Sequence, residues 1–133
     1  MKQASIMATL HDLVDGLYYV SESERPLEVL EWEVNNDEEL RSQIAAFTGQ
    51  PESALIQTGV AAFFESIQRM ADPADEAMME YAGHYSALRD FLENNLLALN
   101  MVKTGEIEVH VFITGFTPEE HKGIVLHTIA IQT

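Results

Sequence analysis

Glu106-Ile-Glu-Val-His-Val-Phe-Ile113 is the stretch of this sequence that decides the fold class. Its isoleucines and valines alternate with other residues, which is the period of a β-strand with one buried face. A second apolar run, Ile124-Val-Leu-His-Thr-Ile-Ala-Ile131, follows a loop that contains glycine and proline. The two runs predict a C-terminal antiparallel hairpin.

Upstream of this hairpin, the apolar residues change to helical spacing in several segments. Asn36-Asp37 is a helix-capping pair, Gly49 is a helix stop, and Pro73 is typical of a first helical turn. The predicted helices cover residues 3–14, 38–47, 60–70 and 73–97, and the predicted strands before the hairpin cover residues 27–34 and 55–57. This order predicts an α+β protein, a three-layer α/β/α sandwich in which a mixed sheet lies between helical layers.

The length and composition indicate an ordinary globular chain. Its 133 residues fit one domain, 1–133, and 47% of them are hydrophobic, enough for a core without covalent staples. It contains no cysteine, which excludes disulfides and thiolate metal sites. The first residues lack a signal-peptide apolar region, and no transmembrane stretch is present, so we expect a cytoplasmic protein without membrane contact.

The charge is strongly negative. Twenty-two acidic residues against seven basic ones give a formal charge of −15. Because proteins grip nucleic-acid phosphates with Lys and Arg, this composition argues against direct nucleic-acid binding. The same charge favours encounter with a basic protein, although it also fits a surface that is acidic only for solubility.

The segment Asp15-Gly-Leu-Tyr-Tyr-Val-Ser-Glu-Ser-Glu-Arg-Pro-Leu-Glu-Val-Leu-Glu-Trp-Glu33 places an acidic Ser-Glu-Ser-Glu turn between two apolar runs. Ser21, Glu22, Ser23 and Glu24 are costly to bury without partners, so the turn should face water or a protein that supplies cations. A solvated turn whose serines cap nearby amides is the simpler interpretation of these four residues.

This segment resembles the nuclease A inhibitor family, small acidic proteins that block a non-specific, magnesium-dependent nuclease of the ββα-metal type. The resemblance recurs in the same order along the chain. The matching residues are Asp15-Gly16-Leu17, Ser21-Glu22-Ser23-Glu24, Pro26, Glu28-Val29, Trp32-Glu33, Phe63-Phe64, Leu92-Glu93, Gly105-Glu106-Ile107-Glu108, Gly115, Thr117-Pro118 and Thr133.

The resemblance implies an inhibitor that occludes a basic nuclease cleft and has no catalytic residues, metal or cofactor of its own. By analogy, Glu22 enters the cleft as a phosphate mimic, and the carboxylate of Thr133 approaches the partner's magnesium, a hard cation that prefers oxygen ligands. Glu24, Ser21 and Ser23 would support this contact. Glu76 occupies the place of an exposed tryptophan in the family, so an aromatic interface anchor is missing here.

Two other functions are compatible with the residues alone. One is an acidic interaction module whose partner is not a nuclease. The other is a small metal-dependent enzyme, because His11 with Asp15 and Glu80 with His84 stand four residues apart on predicted helices. His121 lies in a predicted loop beside Glu119 and Glu120, and His110 and His127 lie on predicted strands of which one face is expected to be wetted. No nucleophile, phosphate-loop or zinc-protease motif accompanies them.

Overall fold

The computed structural model of the protein describes residues 2–132. The α-helices of this range are α1 (Gln3–Val14), α2 (Asp37–Thr48), α3 (Val60–Met70) and α4 (Glu76–Asn95). Asn36 caps α2 by accepting a hydrogen bond from the backbone N–H of Glu39, and Gly49 ends the helix in the left-handed conformation. A short 3-10 turn, Glu52–Ala54, follows α2. The helices predicted at 3–14, 38–47 and 60–70 are therefore confirmed.

The strands of the described range are β1 (Tyr18–Val20), β2 (Glu24–Pro26), β3 (Glu28–Leu30), β4 (Ile56–Thr58), β5 (Leu97–Thr104), β6 (Glu108–Phe116) and β7 (Gly123–Ile131). β1 and β2 pair in a small antiparallel hairpin of their own. The other strands form one sheet in the order β3-β7-β6-β5-β4. β7 therefore lies inside the sheet, between β6 and the short edge strand β3.

The sheet separates two apolar clusters. Along β6, Val109 and Val111 belong to a cluster that also contains buried residues from α1, α3 and α4. Phe112 and Phe116 belong to the other cluster, with Leu40 of α2. Because successive strand residues face opposite sides, one sheet serves both clusters. The α+β class and the α/β/α layering predicted from the sequence are confirmed.

The sheet itself differs from the prediction. All of its pairings among the described residues are antiparallel, so the predicted mixed sheet is wrong in that detail. The C-terminal hairpin is confirmed as β6 and β7, which pair from Glu108 with Ile131 to Phe116 with Gly123. The strand predicted over 27–34 is only three residues long as β3.

The region around α4 also differs from the prediction. The helix begins at Glu76 rather than at Pro73, because the Asp75 side chain accepts hydrogen bonds from the N–H groups of Ala77 and Met78 and caps it there. It ends at Asn95, and the following residues form β5, a strand that the sequence did not predict. β5 pairs with β4 on one side and β6 on the other.

Between residues 2 and 132, none of the helices has the combination of length and apolar character needed to cross a bilayer.

Candidate functional site

The Ser-Glu-Ser-Glu segment forms the turn between β1 and β2. The Ser21 backbone N–H donates a hydrogen bond to the Ser23 carbonyl at 2.9 Å, which closes the turn. Glu22 lies at its tip and is exposed, and Glu24 is the exposed first residue of β2, opposite Val20. The turn predicted from sequence is thus confirmed, and it presents two carboxylates to solvent.

One side of this turn is attached to the last strand of the sheet. The Ser21 hydroxyl oxygen accepts a hydrogen bond from the backbone N–H of Ile131 at 3.0 Å. The Thr128 hydroxyl, also in β7, lies 3.5 Å from the carbonyl of Arg25. The turn is therefore tied to the sheet at residues on both sides of Glu22.

The other side of the turn is held by tyrosines of α4. The Tyr81 hydroxyl accepts a hydrogen bond from the Val20 N–H at 3.2 Å, and the Tyr85 hydroxyl donates one to the Tyr18 carbonyl at 3.0 Å. Tyr85 is fully buried, and this burial, with the neighbouring Tyr81, raises the pKa of its hydroxyl well above the ordinary value of 10.0. The hydroxyl therefore stays protonated and remains a hydrogen-bond donor.

Further carboxylates lie close to the turn. Glu24 lines a shallow cavity of about 310 Å³ together with Glu80 and His84 of α4. Glu80 and His84 form the helical pair predicted from sequence, with 3.7 Å between the carboxylate oxygen and Nε2, and both are exposed. Glu76 is the exposed first residue of the same helix. The structure thus brings Glu24 and the start of α4 to one face of the molecule.

Thr133 lies outside the described residues. Ile131, two positions earlier, donates to Ser21, and the Gln132 backbone N–H donates to the Ile107 carbonyl at 2.8 Å. The last described residues therefore contact the acidic turn through Ile131, and Gln132 contacts Ile107, the residue just before β6.

His11 and His121, two of the histidines considered as site residues, contact side chains that do not form a metal site with them. His11 contacts Glu31 at 3.4 Å, a residue outside its own helix, and His121 stacks on Phe116 with ring centroids 4.9 Å apart. Over residues 2–132, His, Asp and Glu side chains do not come together in any group of three that could hold a metal ion.

A pair of histidines, buried His127 and half-buried His110, lies on the α2 side of the sheet, and their contact was not predicted. His127 is 4% exposed, and its Nδ1 lies 3.0 Å from the Glu28 carboxylate while its Nε2 lies 2.9 Å from Nδ1 of His110. Burial lowers the pKa of His127 from its ordinary value, the hydrogen bond that its ring N–H donates to the Glu28 carboxylate opposes that change, and His110 adds to the lowering. The rings of Phe47 and His127 pack perpendicular to each other, with centroids 5.2 Å apart. This cluster joins β3, β6 and β7 beneath α2.

Sequence reasoning found the acidic turn but missed the contacts that hold it. Tyr81 and Tyr85 stand four residues apart in α4, and this spacing gives no sign that their hydroxyls reach the backbone of β1. The contact between Ser21 and Ile131 joins residues 110 positions apart and has no local signal.

The family model described as "Nuclease A inhibitor-like protein" matches residues 4–133, nearly the whole chain. No curated protein matches the sequence.

Proposed function

The chain belongs to the nuclease A inhibitor-like family, and from this premise we propose that it inhibits a non-specific, magnesium-dependent nuclease by occluding the active-site cleft. The observation that carries the proposal is the β1–β2 turn, which presents Glu22 and Glu24 from a backbone fixed on both sides. The protein acts by binding and performs no catalysis.

Within this proposal, Glu22 takes the place of a substrate phosphate. A carboxylate is an anion with two acceptor oxygens, so it can meet the Lys, Arg or hydrated magnesium of a cleft built for phosphates. Glu24 contributes negative charge beside it, and Ser21 and Ser23 shape the turn. The Thr133 carboxylate is proposed to approach the metal, and Glu76 to lie at the margin of the contact.

Attachment of the turn supports tight binding. A flexible acidic loop would lose conformational entropy when a partner fixes it, and that loss subtracts from affinity. Here the turn is already hydrogen-bonded to α4 through Tyr81 and to β7 through Ser21. The ordering is therefore largely complete before the partner arrives.

The charge of the chain supports a basic partner. A formal charge of −15 repels nucleic acid and attracts a cleft whose own charge attracts phosphates. Steering of this kind raises the association rate and weakens as salt screens it. The proposed partner is thus a basic-cleft nuclease rather than its substrate.

The test is a titration of a purified magnesium-dependent, non-specific nuclease from the same source with the full-length chain. Cleavage of DNA should stop near one equivalent of protein, and the chain alone should leave DNA intact with magnesium present. Association measured at low and high salt should slow as the salt concentration rises. Absence of a complex with such nucleases, or retention by basic proteins of other kinds instead, would overturn the proposal in favour of a general acidic interaction module.

A further inference from the structure

An apolar groove lies beside the acidic turn, where β1 faces α3 and α4. Its volume is about 280 Å³, and its lining includes Val20, Ile67, Met70, Ala77, Met78 and Tyr81. Met70 is 75% exposed, Val20 50% and Met78 38%. Large apolar side chains that remain in water at one place mark a surface that contacts another molecule.

The size and chemistry of the groove favour a protein side chain as its occupant. Sites for small organic ligands are typically about 300–1,000 Å³ in volume, and this groove lies just below that range. Methionine side chains at its wall are flexible and polarizable, so they can adapt to the shape of an inserted side chain. A single large apolar side chain suits such a space.

The groove is continuous with the acidic surface. Val20, Ala77 and Tyr81 line both the groove and the shallow cavity that contains Glu24 and Glu80. A partner segment that reaches into the groove therefore also passes these carboxylates. Charge complementarity then requires Lys or Arg beside the inserted side chain.

We propose that this groove receives an apolar side chain from the basic surface of the nuclease that the acidic turn engages, with a neighbouring Lys or Arg of that nuclease beside Glu24 and Glu80. This inference rests on the proposed function and names a second contact of the same interface. A second copy of this chain is disfavoured as the occupant, because two chains of charge −15 repel each other.

The experiment compares conservative variants of exposed methionines in the full-length chain. Met70→Gln and Met78→Gln keep the length of the side chain and the net charge while removing its apolar end. Met79→Gln is the matched control. Met79 is 46% exposed and lies in α4 next to Met78, but it is not among the groove-lining residues. Dissociation from the purified magnesium-dependent nuclease, thermal unfolding and sedimentation of the chain alone are measured for each protein.

We expect the Met70→Gln, Met78→Gln double variant to dissociate from the nuclease about tenfold faster or more, and Met79→Gln to stay within about twofold of wild type. Thermal unfolding should change little, because these side chains are exposed. If the wild type binds the nuclease and the double variant dissociates at the same rate, the groove contact is overturned but the proposed inhibitor function is not. Failure of the wild type to bind the nuclease would overturn both, and a dimer broken by Met70→Gln would assign the groove to a second copy and overturn the inference.

Discussion

The backbone N–H of Ile131 donates a hydrogen bond to the Ser21 hydroxyl at 3.0 Å, across 110 positions of sequence. Ser21 precedes Glu22 directly, and Ile131 lies two residues before Thr133. The contact therefore joins the neighbourhoods of the two carboxylates that we propose for the nuclease cleft. A change at Ser21 should affect both.

Replacing Ser21 and Ser23 one at a time should show which of the two hydroxyls stabilises the turn. Ser21→Ala leaves the Ile131 N–H without its acceptor, which should lower the free energy of unfolding by about 1 kcal/mol and speed dissociation from the nuclease. The Ser23 hydroxyl is buried and has no hydrogen-bond partner among residues 2–132, so Ser23→Ala should stay within about 0.5 kcal/mol of wild type. Urea unfolding measures both, and equal losses would contradict the proposed anchor.

Glu22→Gln should weaken inhibition far more than a charge-matched change elsewhere. Loss of one partner of a desolvated charge pair costs about 2–5 kcal/mol in binding, whereas loss of a rim charge mainly slows association. Glu28 is unsuitable as the control because its carboxylate contacts His127. Glu33→Gln is the matched variant, because Glu33 is exposed and lies far from the acidic turn. Its neighbour Val34 accepts a hydrogen bond from Gly123 at the start of β7, whereas the turn contacts Ile131 at the end of that strand. Inhibition titrations that give equal effects would assign the activity to bulk acidity.

Two glycines added after Thr133 should reduce inhibition without unfolding the protein. The addition moves the terminal carboxylate by up to roughly 7 Å at full extension and adds bulk at a confined cleft. The apolar side chains of β7 stay in place, so the melting temperature should be unchanged. Inhibition and thermal stability are measured on the same extended protein. Normal inhibition by a normally stable extended protein would remove Thr133 from the proposed site.

The His127 cluster should make stability fall with acid in a defined window. Burial lowers the pKa of His127 in the folded state below its ordinary value of 6.5, so the unfolded chain binds the proton more readily. Its contribution is complete above about pH 6.5 and is lost as the pH falls towards the folded-state pKa. The difference in unfolding free energy between wild type and His127→Gln should therefore shrink between about pH 7.5 and about pH 5.5.

The control for this pH dependence is His84→Gln, which removes an exposed histidine that contacts Glu80. Comparing each variant with wild type cancels the common effect of the acidic side chains. A change with pH for His127→Gln no larger than that for His84→Gln would show that buried His127 does not control the pH dependence of stability.

The elements that the sequence predicted best are those whose signals are local. The helical spacing of apolar residues predicted α1 and α3, and Asn36 and Gly49 predicted where α2 begins and ends. β5 was missed because Leu97-Ala-Leu-Asn-Met-Val-Lys-Thr104 contains several good helix formers and no clean alternation. Pairing with β4 and β6 overrides that preference, which no local pattern can reveal.

In the candidate site, too, the features with local sequence signals were predicted and those formed by distant residues were not. The Ser-Glu-Ser-Glu turn was predictable because polar residues between apolar runs are a local signal. The hydroxyls of Ser21 and Tyr81 that fix the turn act on residues far along the chain, at separations of 110 and 61 positions. The same holds for the pairing of Glu28 with His127, which is produced by the register of β3 against β7.

The position of β7 inside the sheet affects when the protein becomes functional during its synthesis. Glu28 of β3 pairs with His127, 99 residues later, so at about 5–20 residues per second the ribosome needs roughly 5–20 s to supply that partner. Until β7 emerges, β3 has no sheet to join and Ser21 has no Ile131 to bind. A nascent or prematurely terminated chain would carry the acidic turn without its anchor, so the proposed inhibitory activity would arise only after translation has passed β7.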